Sequence, residues 1–110
     1  MEYELAHMLL AKMRVPDDYP YVIYRRADWS GWPPDPSFIS LPRGGEFITA
    51  MAIWEPYDVE ILQAGQVGSV LIVPLWPGFW QHLKAGQTLN WLYAPFSAQI
   101  LEPLEKEASA

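Results

Sequence analysis

At 110 residues, with 6 Trp, 6 Tyr, 4 Phe, 7 Gly and 11 Pro, the chain has the size of one domain, and a 51% apolar composition supplies the area needed to fold. The absence of cysteine excludes disulfide scaffolds, thiolate zinc sites, iron–sulfur clusters and thiol catalysis. With 7 basic against 13 acidic side chains the formal charge is −6, which argues against a sequence-independent grip on nucleic acid, where Lys and Arg must displace phosphate counterions.

Residues 2–13 satisfy two periods at once. Leu5, Met8, Leu9 and Met13 fit a helical stripe, whereas Tyr3, Leu5, His7, Leu9, Ala11 and Met13 fit an alternating strand. A short N-terminal helix therefore stays open beside a first strand. Glu2, Glu4, His7 and Lys12 interrupt this stretch, and no later run approaches the roughly 18 apolar residues of a membrane span. Neither a signal peptide nor a membrane segment is expected, and a cytoplasmic location is the default.

From Pro16 onward, proline and glycine cut the chain into pieces of strand length. Residues 19–25 (YPYVIYR) and 37–40 (SFIS) are short strand candidates. In residues 47–54 (FITAMAIW), Phe47, Thr49, Met51 and Ile53 share one face and Ile48, Ala50, Ala52 and Trp54 the other. Both faces are apolar, which predicts a strand covered on both sides. Residues 67–75 (VGSVLIVPL) follow, with Pro74 assigned to an edge or bulge because it cannot donate to a ladder. Residues 88–93 (TLNWLY) alternate, 98–101 (AQIL) complete the pattern, and 103–110 (PLEKEASA) read as a frayed acidic tail. A single domain over residues 1–102, with six or so short strands, predicts an all-β sandwich or small barrel. Closing the sheet would remove its exposed edges.

Three pieces carry a family likeness: residues 26–38 (RADWSGWPPDPSF), 62–77 (LQAGQVGSVLIVPLWP) and 83–102 (LKAGQTLNWLYAPFSAQILE). In this order they resemble the C-terminal β-barrel domain of translation elongation factor Tu and its stand-alone bacterial relatives. Gly31, Trp32, Pro34 and Phe38 match the Gly-aromatic-x-Pro turn of that family, Leu62 and Gly65 its next strand end, and Leu83, Gly86, Leu89, Leu92 and Ile100 its final hairpin. The likeness implies a small closed antiparallel barrel of six strands used for binding. In elongation factor Tu this barrel helps hold the tRNA acceptor arm and partner proteins. Val15-Pro16-Asp17-Asp18 and Ala94-Pro95-Phe96-Ser97 replace the family's E-G-G-R and E-G-x-R, so basic residues for an RNA contact are lacking there. No phosphate loop of the G-x-x-x-x-G-K-S/T kind occurs, and nucleotide hydrolysis is not expected.

Chemistry-bearing constellations are sparse. His7 and His82 are the only imidazoles and have no carboxylate or second imidazole at metal-binding spacing, so no metal or other cofactor is expected. No G-x-S-x-G elbow frames a nucleophile. Asp28, Asp35, Glu55, Asp58 and Glu60 flank strands and read as solvated carboxylates, with Asp58 and Glu60 sharing one strand face as an acidic patch. No catalytic residue is assigned and the chain is not expected to be an enzyme.

The informative feature is two aromatic clusters stiffened by proline, Trp29-Ser30-Gly31-Trp32-Pro33-Pro34-Asp35-Pro36 and Trp76-Pro77-Gly78-Phe79-Trp80. Their rings either plug the ends of the barrel or stand exposed as binding anchors, with Arg25 and Arg26 adding charge beside the first. On the second reading Trp29, Trp32, Trp76, Phe79, Trp80, Arg25 and Arg26 form a protein-binding surface. An acidic, compact, cysteine-free binder suits an immunity or antitoxin-type protein that masks a basic toxin. The alternative is an RNA- or small-ligand-binding barrel that uses the same aromatic loops.

Overall fold

The computed structural model describes residues 8–25 and 36–103. Eight strands run in chain order: β1 (Leu9–Arg14), β2 (Ile23–Tyr24), β3 (Ser37–Arg43), β4 (Glu46–Pro56), β5 (Ile61–Leu62), β6 (Val67–Pro74), β7 (Thr88–Trp91) and β8 (Ser97–Glu102). Six of them close into an antiparallel barrel in the order β1-β6-β4-β3-β7-β8, with β8 returning to β1. The two-residue strands β2 and β5 pair with each other outside it. The all-β, closed six-stranded architecture expected from the sequence is the one observed.

Alternation explains why β1 is a strand. Leu9, Ala11 and Met13 point into the barrel and are buried, while Lys12 and Arg14 face solvent. Residues with a period of two can serve both neighbours of a closing strand, which a helical stripe cannot do. β1 pairs with β6 from Leu9↔Ile72 to Arg14↔Val67 and with β8 through Ala11↔Ile100, so it is the strand that shuts the sheet. The short N-terminal helix has no support: residues 9–14 are strand, and residues 1–7 lie outside the described part. The tail at 104–110 lies outside it as well.

Every barrel strand sends alternate side chains inward. Ile39 and Leu41 of β3, Ala50 and Ala52 of β4, Val70 and Ile72 of β6, Leu89 and Trp91 of β7, and Ala98 and Ile100 of β8 meet the β1 residues in one core. Alanine recurs among these positions because a six-stranded barrel is narrow and its interior is filled by its own side chains. Gly44 and Gly45, with φ of 55° and 85°, make the two-residue turn between β3 and β4. Two successive positive φ values match the twist of the paired strands and admit glycine without steric cost.

Several expectations need correction. The outward face of β4 is covered only along its second half: Ile53 is buried, whereas Phe47 and Thr49 near the hairpin are exposed. The reason is that a barrel has one inside, and the hairpin end of β4 extends past the neighbouring strand β6, whose ladder begins at Ala52↔Pro74. Pro74 marks neither an edge nor a bulge but the last position of β6, where the ladder ends and a missing N–H costs little. Of residues 19–25 only Ile23–Tyr24 is strand. Its partner β5 is too short to show a period, and Asp58 and Glu60 lie in the bend before it rather than on a strand face.

Each mouth of the barrel is filled by rings and branched chains. At the mouth where β4 and β1 end, Trp54 and Trp91 stack edge-on at 5.3 Å, Phe96 meets both, and Tyr19 contacts Phe96 at 4.9 Å. Trp54 Nε1 donates to Ser37 Oγ at 2.9 Å, which fixes its indole. Leu62 of the outer ribbon sits over Gly68, whose missing side chain leaves its place: a Cβ there would lie 2.7 Å from Leu62 Cδ2. Because Leu62 is itself buried and cannot swing away, Gly68→Ala is expected to cost about 1–3 kcal/mol through overpacking. A fall in the urea midpoint at unchanged slope checks this.

Candidate functional site

The other mouth is closed by residues 75–87, which join β6 to β7. Leu75 N–H donates to Met51 carbonyl oxygen at 3.1 Å, so the segment starts tied to β4. A single 3₁₀ turn at Pro77–Phe79 follows, favoured by the fixed φ of Pro77 at its start. The bond from Trp80 N–H to Pro77 carbonyl oxygen closes that turn, and one from Leu83 N–H to Trp80 carbonyl oxygen makes the next. Gln87 Oε1 then accepts from Lys84 N–H at 2.8 Å, and His82 Nε2–H donates to the Pro42 carbonyl at 2.7 Å, pinning the loop to the β3–β4 hairpin.

Within this loop the aromatic residues divide. Trp80 is 1% exposed and belongs to the core, whereas Trp76 is 58% and Phe79 55% exposed. Trp80 therefore acts as a plug, and Trp76 and Phe79 stand outside it. Among the described residues the indole N–H groups of Trp80 and Trp91 have no hydrogen-bond partner, and these rings are held by apolar packing in the core. Leu83, also buried, shares the mouth with Trp80.

Trp76 and Phe79 line an open groove of about 630 Å³ together with Arg43, Gln81 and His82. A smaller cleft of about 160 Å³ runs behind the two rings along residues 48–51 of β4. Arg43 comes from the end of β3 and makes no ion pair among the described residues. The groove thus joins two exposed rings to an unpaired guanidinium.

Trp29, Trp32 and Arg26, and with them Asp28 and Asp35, lie outside the described residues. Arg25 follows β2, near the opposite mouth, where its Nη2 lies 3.6 Å from Glu60 Oε1 and Nη1 donates to the Tyr57 carbonyl at 3.5 Å. This exposed pair contributes little stability and does not approach Trp76 or Phe79. Asp58 Oδ1 accepts from Ser69 N–H at 3.0 Å, which gives that carboxylate a structural task. Glu55 is buried in β4.

Sequence reasoning missed Arg43 and Gln81 as members of the groove. Arg43 is distant from the Trp76 cluster in sequence, and only the hairpin brings it there. It also missed the exposed aromatics of the opposite half, Tyr21, Tyr24, Tyr57 and Tyr93, with Phe38 and Tyr93 in edge contact at 5.7 Å. Among the described residues, no group of three or more His, Asp or Glu side chains is arranged to hold a metal ion, and no helix is long and apolar enough to cross a membrane.

Compared with known proteins, the chain matches no family model, no curated protein and no solved structure.

The division between plug and exposed rings has a direct consequence for stability. Trp80→Ala is expected to cost about 3–5 kcal/mol, the range for an emptied core aromatic site, while Trp76→Ala and Phe79→Ala stay within about 1 kcal/mol of the parent. Chemical denaturation of the three variants reads the contrast.

Proposed function

We propose that the chain is a non-enzymatic protein-binding module and that Trp76 and Phe79 are its anchors. The observation that carries this reading is the pair of large rings held more than half exposed on a loop fixed at both sides, by buried Trp80 and by the His82 bond to Pro42. Exposed Trp and Phe are unfavourable in water and become favourable when a partner covers them. A stiff loop loses little conformational entropy on association, so more of the contact energy survives as affinity.

The net charge of −6 adds a long-range preference. It attracts a basic protein surface and raises the rate of encounter. Size, charge and aromatic anchors together suit an immunity or antitoxin-type protein that masks a basic toxin. The groove is open rather than enclosed, which favours a protein face over a small ligand, since ligand sites bury most of their occupant. Five described cations, Lys12, Arg14, Arg25, Arg43 and Lys84, form no run that could track a nucleic-acid backbone.

The test is affinity capture from native cells with the intact protein and a Trp76→Ala/Phe79→Ala variant. A protein partner is expected with the parent and should be lost from the double variant by tenfold or more, about 1.4 kcal/mol of hot-spot energy. Recovery should also fall at high salt. Recovery of nucleic acid or a small molecule without a protein partner contradicts the proposal.

A further inference from the structure

We infer that the free edge of β4 at residues 47–50 binds an extended segment of the partner protein as an added β-strand, one that carries basic rather than acidic side chains. The inference rests on the protein-binding reading and adds the conformation and charge of the segment that docks beside Trp76 and Phe79.

Its basis is the register of the strands. The ladder between β4 and β6 begins at Ala52↔Pro74, so residues 46–51 of β4 overhang β6 and pair only with β3, from Phe38↔Met51 to Arg43↔Glu46. The Met51 carbonyl points to the β6 side, because it accepts from Leu75 N–H there. Backbone groups of successive strand residues alternate between the two neighbours, so those of Thr49 and Phe47 also point to the β6 side and those of Ile48 and Ala50 point to β3. Pro42 gives the same parity independently: it stands across from Phe47, has no N–H, and gives its carbonyl to His82 rather than to β4. Among the described residues no further backbone bond reaches Phe47 or Thr49, and both are exposed. Two N–H and two C=O groups are therefore left to water along this edge.

The two edges of the hairpin differ. On the β3 side, Pro42 supplies no donor and His82 covers its carbonyl. On the β4 side, Phe47-Ile48-Thr49-Ala50 has neither charge nor proline, the composition of a strand that accepts another strand. Donors and acceptors at alternate positions fit the backbone of an extended chain. The same stretch of β4 borders, with Trp76, Phe79 and Trp80, the cleft of about 160 Å³. That volume is below the roughly 300–1,000 Å³ of small-molecule pockets and suits a side chain of a docked strand. Charge then decides between occupants. A second copy brings a like charge of −6, and the edge begins at Glu46, so a strand with basic side chains is favoured over this chain's own β4.

The experiment uses the intact isotope-labelled protein and follows solvent exchange of the Phe47 and Thr49 amides. In the free protein both are expected to exchange rapidly at every concentration. Protection there overturns the inference: a second copy covers the edge if protection grows with concentration, and the chain covers its own edge if it does not. Three acetylated, amidated probe peptides are then titrated to several millimolar: Lys-Val-Ile-Val-Lys, the same peptide N-methylated at Ile and at the Val after it so that neither of its edges can pair, and Glu-Val-Ile-Val-Glu. Exchange at Thr49 should slow about fivefold once about four-fifths of the protein holds the Lys peptide, and should stay unchanged with the methylated one. The Glu peptide should bind more weakly than the Lys peptide at low salt, with the gap closing at high salt. Equal effects of the Lys and methylated peptides, no protection of Thr49 by the Lys peptide, or a Glu peptide that binds as well overturns the inference. Thr49→Pro removes one edge N–H at an exposed position, with the amide spectrum as the check that it folds. A captured partner that depends on Trp76 and Phe79 yet is indifferent to Thr49→Pro also overturns the inference, and leaves the binding-module reading standing.

Discussion

A sheet closed on itself has no free edge but has two open mouths, and filling them is the constraint from which the rest of this structure follows. Closure depends on β1, whose Leu9, Ala11 and Met13 pack inward while its backbone pairs with β6 on one side and β8 on the other. Without that strand the sheet would present two ladders of unpaired backbone groups, a template for association. With it, six strands enclose a narrow core filled by their own side chains, and strand residues such as Trp54 and Trp91 join loop residues in closing the ends.

The two mouths solve this differently. One uses a box of edge-on rings, Trp54, Trp91, Phe96 and Tyr19, with Leu62 brought in from the outer ribbon and seated where Gly68 leaves space. The other uses one large side chain, Trp80, with Leu83 beside it. Because a single turn of 3₁₀ helix separates Trp80 from Trp76, burying the former leaves the latter and Phe79 on the outside. The exposed aromatics of the groove are thus the geometric remainder of plugging the barrel. The sequence leaves open whether these rings plug the barrel or stand exposed, and both occur within one loop: Trp80 is buried, while Trp76 and Phe79 are exposed.

Much of the barrel was legible in the chain. Proline and glycine mark the strand ends, and the alternation in β7 and β8 reports the inward face, because local period and core side coincide there. The β2–β5 ribbon was illegible, since two residues have no period and its pairing joins positions almost forty residues apart. β1 stayed ambiguous because Leu, Ala, Met and Lys favour helix intrinsically, and only pairing on both sides decides against it. Of the site, Trp76 and Phe79 could be named from their proline-stiffened context. That Trp80, a neighbour of the same type, turns inward could not, because loop residues obey no repeat. Arg43 was invisible as a site residue for a different reason: the Gly44-Gly45 turn and the His82 bond to Pro42 place it there, and neither is a local property of the sequence around Trp76.

The most direct measurement of the central claim, Trp80 in and Trp76 out, is fluorine nuclear magnetic resonance of the protein labelled with 5-fluorotryptophan, each signal assigned by a Trp→Phe variant. Exchanging water for deuterium oxide and adding a soluble paramagnetic agent read the exposure of each indole separately. The account predicts a full solvent response at Trp76 and almost none at Trp80 and Trp91. Equal responses from Trp76 and Trp80, or a protected Trp76, would contradict it.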